Sequence, residues 1–145
     1  MFDIKEFLTQ DHRECDELFA ELEDAVAKKS GDIDEKFEKF YDDLTNHFKM
    51  EEMILFPMLG EFVTISNNPL RAMEMEHEQM RVLLSKMRKA TEKMDKESFF
   101  SLSETLMLLM QQHNIKEEQL IYTMANEHLA DEASYVISQM RSIAY

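Results

Sequence analysis

Residues 37–58, FEKFYDDLTNHFKMEEMILFPM, decide the fold of this chain. Apolar residues recur in this stretch at steps of three and four, the spacing of one face of an α-helix. The inward positions are Phe37, Phe40, Leu44, His47, Glu51, Ile54 and Met58. A histidine and a glutamate therefore share a face that bundle helices normally fill with apolar side chains. The stretch predicts a long helix that carries polar donors into a core.

Three further segments repeat this period, and the pattern predicts helices over about residues 3–29, 33–61, 69–93 and 97–126. The first has Ile4, Leu8, His12, Cys15, Phe19, Leu22 and Val26 on its inward face. The third has Leu70, Met73, His77, Met80, Leu84 and Met87. The fourth has Phe99, Leu102, Leu106, Leu109, His113, Glu117, Leu120 and Met124. Short breaks between them predict an all-α, antiparallel up-and-down four-helix bundle.

The ends of these helices have their own signals. Asp3 is a suitable N-cap for the first helix, and Asn68 followed by Pro69 is a typical start for the third. In the tail, Ala133, Ile137 and Met140 share one face. We expect a short fifth helix there, lying across the end of the bundle.

Composition limits the classes of function. The chain has 145 residues, only 2 Gly and 2 Pro, and a net charge of -14. The length predicts one domain over residues 1–145, and the charge disfavours nucleic acid and anionic membranes as partners. A single cysteine, Cys15, excludes an internal disulfide, and no apolar run is long enough for a membrane span. We expect a soluble cytoplasmic protein.

Two buried carboxylates need an explanation. Burying Glu51 and Glu117 costs several kcal/mol unless each is paired, hydrogen-bonded or bound to a metal. Each follows a histidine by four residues, so the two side chains lie about 40° apart on the helix and can reach one cation. Glu52 and Glu118, about 140° from those histidines, are expected to face solvent.

Depth along the bundle supports a shared site. With a rise of about 1.5 Å per residue, His12, Glu51, His77 and Glu117 all lie roughly 12–16 Å from the same end of the bundle. A histidine on an inward face is more often a hydrogen-bonded core residue than a metal ligand. Four inward histidines beside two inward glutamates favour a metal site.

The donor types narrow the metal. Imidazole with carboxylate suits iron, manganese or zinc, and the lack of clustered cysteines disfavours structural zinc and iron–sulfur clusters. Two carboxylates beside four imidazoles are enough to bridge two metals. Two non-haem irons are our expectation, with manganese or zinc as the alternatives.

Four ordered motifs resemble the hemerythrin-like, or HHE cation-binding, domain family. They are DHRECD at 11–16, HFKMEEMILFP at 47–57, NNPLRAMEMEHEQMR at 67–81 and HNIKEEQLIY at 113–122. The resemblance covers roughly residues 10–123 and implies a four-helix bundle around a di-iron centre bridged by two carboxylates. It implies as metal ligands His12, His47, Glu51, His77, His113 and Glu117. The second and fourth motifs also echo each other, HFKMEEMILFP against HNIKEEQLIYT, as two similar half-sites would.

The chain departs from the oxygen-carrying members at Met73, where those proteins have a fifth histidine. Each iron would then have two imidazoles, and both would keep an open position. We therefore expect a centre that binds or reacts with O2, NO or peroxide, with peroxide consumption as a candidate enzymatic activity. The alternatives are iron storage, iron donation or iron–sulfur repair, an iron or oxygen sensor without catalysis, and a purely structural metal. The sequence does not identify a protein partner.

A few residues near the site have weaker signals. Tyr41 and Tyr122 could reach the ligands as hydrogen-bond donors, although packing alone would explain both. Glu76 is a weak candidate for a substitute ligand, because it lies at a poor angle beside His77. Cys15 is expected to be an inert, buried thiol.

Overall fold

The computed structural model describes residues 3–143, and within them it contains helices and no strand. The α-helices are α1 (Ile4–Ala27), α2 (Ile33–Lys49), α3 (Phe56–Leu59), α4 (Pro69–Glu92), α5 (Lys96–Lys116), α6 (Tyr122–His128) and α7 (Ala133–Ile143). Two π-helical segments, Met50–Leu55 and Glu117–Ile121, join α2 to α3 and α5 to α6. Short 3₁₀ turns cover Gly60–Phe62 and Ala130–Glu132.

These elements form four long helices in an antiparallel bundle, which confirms the predicted fold class. The first long helix is α1, the second runs from α2 through α3, the third is α4, and the fourth runs from α5 through α6. Each packs against its two neighbours around a ring, since α1 contacts both α2 and α5, and α4 contacts both α2 and α5. Short connections of a few residues make sequential helices antiparallel neighbours.

The predicted helix starts are confirmed. The Asp3 carboxylate accepts a hydrogen bond from the Glu6 N–H at 2.7 Å. The Asn68 side chain accepts from the N–H groups of Leu70 and Arg71, and Pro69 occupies the first turn of α4. Both caps satisfy backbone donors that have no partner inside the helix.

The π-helical segments change which residues face inward. In each, a hydrogen bond spans five residues, from the Phe56 N–H to the Glu51 carbonyl and from the Tyr122 N–H to the Glu117 carbonyl. A π segment holds one more residue than an α-turn, so the buried face moves along the sequence by one position. The buried residues after the glutamates are Leu55, Phe56 and Leu59 in the second long helix and Ile121, Tyr122 and Ala125 in the fourth.

Several inward residues predicted from a strict α-helical period are therefore corrected. Leu120 is 48 % exposed, so its predicted burial is wrong. The residues that are only half-buried are Ile54, Met58, Leu102, Leu109 and Met124. Leu102 and Leu109 precede the second π segment, so the shift of the buried face does not account for them. In α1 and α4, which contain no π segment, every predicted inward residue is buried.

The short C-terminal helix is also confirmed. Val136, Ile137 and Met140 of α7 are buried against one end of the bundle, with Ala133 packed at the edge. A second apolar cluster, which includes Phe19, Phe40 and Leu106, fills the other end. No helix in the described range is long and apolar enough to cross a membrane. The single-domain extent and the cytoplasmic location stay predictions.

Candidate metal centre

Between the two apolar clusters, the bundle gathers six polar side chains. They are His12, His47, Glu51, His77, His113 and Glu117, and each is at most 5 % exposed. Their donor atoms form two groups within which all atoms lie within 4.8 Å of one another. The first group is His12, His47, Glu51 and Glu117, and the second is Glu51, His77, His113 and Glu117. Both carboxylates belong to both groups, as bridging ligands of two metals would.

The histidines point one ring nitrogen into this centre. The Nε2 atoms of His12 and His47 are 3.1 Å apart, and those of His77 and His113 are 3.2 Å apart. Both pairs come from sequential long helices. Their ring nitrogens lie as close to each other as neighbouring ligands of one metal ion.

Two carboxylate oxygens test whether a cation fits. Glu51 Oε1 and Glu117 Oε2 are buried and have no hydrogen-bond partner among the described residues. Glu51 Oε1 lies 3.1 Å from His77 Nε2, and Glu117 Oε2 lies 3.2 Å from His113 Nε2, without hydrogen-bond geometry. An unpartnered buried carboxylate oxygen is costly, and a cation between oxygen and nitrogen removes that cost. The residues present therefore fit a bound metal.

Each histidine binds a carboxylate through its other ring nitrogen. The Nδ1 pairs are His12 with Glu118 at 2.8 Å, His47 with Asp11 at 2.6 Å, His77 with Glu52 at 2.6 Å and His113 with Glu76 at 2.7 Å. The carboxylate always comes from another long helix, so the four bonds close a ring through all four helices. A carboxylate at Nδ1 fixes the tautomer in which Nε2 offers its lone pair to a metal, and it orients the ring.

These outer carboxylates correct the expectation from helical angles. Glu52 and Glu118 do not simply face solvent, because both are partly buried and bind histidines of neighbouring helices. Their angle from the histidine of their own helix, about 140°, points them at the next helix. Glu76 is not placed among the inward donors and instead binds His113. The signal for this ring is that each outer carboxylate is adjacent in sequence to an inward donor, as in Asp11-His12 and Glu51-Glu52.

Two basic residues hold the outer carboxylates in turn. Arg81 donates to Glu52 at 2.8 Å, and Lys116 forms an ion pair with Glu76. These contacts keep the two carboxylates in place at the edge of the core. They also leave Glu118 and Asp11 without such a basic partner in the ion pairs of the described residues.

The centre is strongly anionic. Burial lowers the pKa of His77, but the nearby carboxylates of Glu117, Glu51 and Glu52 outweigh it and raise the pKa to about 10. Burial raises the pKa of Glu117, but interactions with Glu51, His113 and His12 outweigh burial and hold this pKa well below its usual range. The cage therefore favours positive charge at its nitrogens, and protons and metal ions compete for them.

Tyr122 places its hydroxyl inside the first donor group. The oxygen lies 2.6 Å from Glu51 Oε2, 3.0 Å from Glu117 Oε1, 3.0 Å from His12 Nε2 and 3.2 Å from His47 Nε2. Burial and the charges of the two glutamates raise the pKa of this phenol well above its usual value. Tyr41 does not reach the donors; it stacks on Phe37, with the Arg88 guanidinium 5.1 Å from its ring centroid.

The remaining residues near the centre are apolar or inert. Met73 is buried in the cluster that includes α7, one helical turn before His77. Burial, followed by the charge of Asp43, raises the pKa of the Cys15 thiol well above its usual value, so the thiol stays protonated. Cys15 is absent from both donor groups.

Comparison with known proteins places this geometry in a family. The family model described as Hemerythrin HHE cation binding domain matches residues 3–125. A "Probable iron-sulfur cluster repair protein" of Haemophilus influenzae is 36 % identical over 77 residues, covering 47 % of this chain and 34 % of the relative. The chain thus matches about a third of that relative's length. No solved structure matches the chain. With most of its length matched, this chain belongs to the hemerythrin HHE cation-binding domain family.

Proposed function

We propose that this protein holds two non-haem irons and that the centre binds or reacts with O2, NO or peroxide. One observation carries the proposal: two groups of four buried donors share Glu51 and Glu117. Each group of four donors is enough to hold one metal, and the two carboxylates that belong to both groups can bridge the two metals. Six side chains therefore supply the eight donor positions. The ligand set we assign is His12, His47, Glu51, His77, His113 and Glu117. A bound pair of irons would supply redox chemistry toward a small oxygen or nitrogen species.

The chain's own residues shape what can reach the centre. Phe48 stacks on the His77 ring with centroids 4.1 Å apart, and Phe56 lies parallel to it at 6.0 Å. These rings shield the His77 side of the centre from water. The outer carboxylates keep the imidazoles oriented, and Arg81 and Lys116 keep two of those carboxylates in place.

A second candidate is iron donation in iron–sulfur cluster repair. It is supported by the name of the Haemophilus relative, whose match covers about half of this chain. Donation needs a centre that releases iron readily, whereas redox turnover needs a centre that keeps it. Release of iron to a chelator, timed in the absence and presence of an iron-free acceptor protein, separates the two.

Metal content with reactivity tests the leading proposal. Protein reconstituted anaerobically with ferrous iron should hold about two irons per chain and change its visible spectrum on exposure to O2 or peroxide. One zinc per chain, with no iron uptake under reducing conditions, would contradict the proposal. Two irons with no response to O2, NO or peroxide would contradict this reactivity and leave iron donation or a structural metal as the function.

Three glutamates of the fourth long helix test the ligand assignment. Glu117→Ala should abolish binding of a metal pair, because it removes a shared carboxylate. Glu118→Gln should weaken metal affinity roughly 10- to 100-fold, because it loosens His12 without removing a ligand. Glu104→Gln, an exposed change in α5, is the control and should bind like the unmodified protein. Equal metal retention in Glu117→Ala and the control would refute the assignment.

A further inference from the structure

The two halves of the centre differ at one matched position. In the echo between HFKMEEMILFP and HNIKEEQLIYT, Phe56 corresponds to Tyr122, and each stands nine residues after its histidine. Both residues directly follow a π-helical segment and both are buried. In a regular α-helix, a residue nine positions after the histidine would lie on the opposite face of the helix. The π segment shifts the helix so that this residue faces inward. One half of the centre therefore gains a phenol where the other has a plain phenyl ring.

Hydrogen bonding alone does not explain the position of this phenol. Its oxygen lies 2.6–3.2 Å from one donor atom of each of the four residues in the first group. Metal ligands must be deprotonated, so in the loaded protein all four of those atoms are lone-pair donors. A hydroxyl has a single proton and can satisfy only one of them.

These distances match neighbouring ligands of one ion. Two adjacent ligands of an octahedral metal, each bonded at about 2.1 Å, lie about 3 Å apart. The Tyr122 oxygen has that separation from His12 Nε2, His47 Nε2 and Glu117 Oε1, and a slightly shorter one from Glu51 Oε2. In an octahedron one ligand has four such neighbours.

The other half has no fifth donor at the position that corresponds to Tyr122. Phe56 has no oxygen, and with Phe48 it presents an apolar ring to His77. The second donor group therefore consists of two histidines and the two shared carboxylates.

We propose that Tyr122 is a fifth protein ligand of the metal held by His12 and His47, so that external ligands bind preferentially at the His77 and His113 metal. The inference rests on the proposed two-metal centre. When the metal binds, the phenol O–H bond is replaced by an oxygen–metal bond and the proton leaves to solvent, with no change of oxidation state. Five protein ligands on one side and four on the other leave the second metal with one more vacant position. The two metals are thus chemically distinct even though each has two imidazoles.

Two nearly isosteric variants test the proposal, Tyr122→Phe and its mirror Phe56→Tyr. Each protein is loaded with ferric iron, its iron is quantified, and its visible spectrum is recorded. The unmodified protein should show a phenolate-to-iron charge-transfer band with resonance-enhanced phenolate vibrations, and Tyr122→Phe should lose both when each spectrum is expressed per bound iron. Phe56→Tyr should strengthen the band by adding a second phenolate.

Titration with azide then locates the open position. We expect Tyr122→Phe to bind one more azide per centre than the unmodified protein, and Phe56→Tyr to bind azide with a Kd raised at least several-fold. Two irons per chain with no phenolate vibrations in the unmodified protein would overturn the inference and leave the two-metal centre intact. The inference also fails if Tyr122→Phe has the spectrum and azide stoichiometry of the unmodified protein. Failure of the unmodified protein to bind iron at all would overturn the two-metal centre, and the inference with it.

Discussion

Each inward histidine of this protein is held from two sides, by the centre at Nε2 and by a carboxylate of another helix at Nδ1. At the level of single residues, this arrangement places unusual demands on acidic side chains. A carboxylate that becomes buried on folding is stabilised when it forms a hydrogen bond with a histidine. An acidic residue that is drawn into the same region without a partner destabilises the fold.

Asp43 has one carboxylate oxygen of this kind. Its Oδ2 atom is buried and has no hydrogen-bond partner among residues 3–143. Burial, followed by the charge of Asp11, raises the pKa of the Asp43 carboxyl to about 6. An unfolded aspartate titrates near pH 4, so the folded protein binds the extra proton between about pH 4 and pH 6. Stability from this group is therefore lost as the pH rises through that range.

Asp43→Asn should remove this dependence of stability on pH. We expect the variant to be more stable than the unmodified protein by about 1 kcal/mol at pH 7 and to show no gain near pH 4. Urea denaturation of the metal-free proteins at the two pH values measures the difference. The adjacent exposed change, Asp42→Asn, is the control and should have little effect at either pH. A gain of equal size at both pH values would show that ionisation of Asp43 is not its source.

At the scale of elements, α1 and α4 end in the same way. Ser30 N–H binds the Ala25 carbonyl at 2.9 Å, and Asp95 N–H binds the Ala90 carbonyl at 2.8 Å. These bonds form Schellman motifs, which need a residue in the left-handed conformation. That residue is Lys29 with φ 51° in α1 and Met94 with φ 55° in α4. The break expected near Gly31 is real, but the glycine is not the residue with positive φ.

Glycine at either position should stabilise the bundle. A non-glycine residue in this conformation costs roughly 1–2 kcal/mol, part of which is offset by the greater freedom of glycine in the unfolded chain. We expect Lys29→Gly and Met94→Gly each to raise the free energy of unfolding by about 0.5–1 kcal/mol in chemical denaturation. Lys28→Gly, at a position with φ -87°, is the matched control and should give no gain. A loss of stability at position 29 as large as at position 28 would contradict this account.

At the scale of the whole molecule, the metal centre lies between two apolar clusters that close the bundle at its ends. Six polar side chains therefore interrupt the core at mid-height. Two of them, Glu51 and Glu117, each have a carboxylate oxygen with no hydrogen-bond partner among the described residues. The net charge of -14 adds self-repulsion to this interruption. The buried donors of the centre therefore weaken the metal-free fold.

Metal binding should offset this weakness. At a free metal concentration of about 100 times Kd, binding to the folded state adds about 2.7 kcal/mol to stability. Thermal unfolding of the unmodified protein should therefore shift upward with ferrous iron, recorded anaerobically, and return after chelation.

The double variant Glu51→Gln/Glu117→Gln is the matched test, because it keeps the shape of both side chains and removes their charge. Its stability with iron is compared with its own metal-free stability, because loss of the two carboxylates also removes the partners of the buried histidines. With iron it should show no shift. A metal-dependent shift of the same size in both proteins would place the stabilising site elsewhere.

The sequence by itself determined the bundle and the inward side of its polar residues. Helical periodicity is a local property, and it identified the inward faces of α1 and α4 together with all six donors that the structure gathers. Burial of a charged residue in that pattern was enough to suggest a cation, because few other partners offset the cost.

Only the tertiary structure decided which outer carboxylate binds which histidine. Glu118 meets His12 from 106 residues away, because the fourth helix packs against the first. The periodicity of a single helix cannot predict this contact between two helices. The inward position of Tyr122 depends on a π segment, a local insertion that a strict 3.6-residue period misplaces by one position, and the same period wrongly buries Leu120. Periodicity follows from each helix alone, whereas the ring of outer carboxylates and the asymmetry between Tyr122 and Phe56 arise only when four helices pack around one centre.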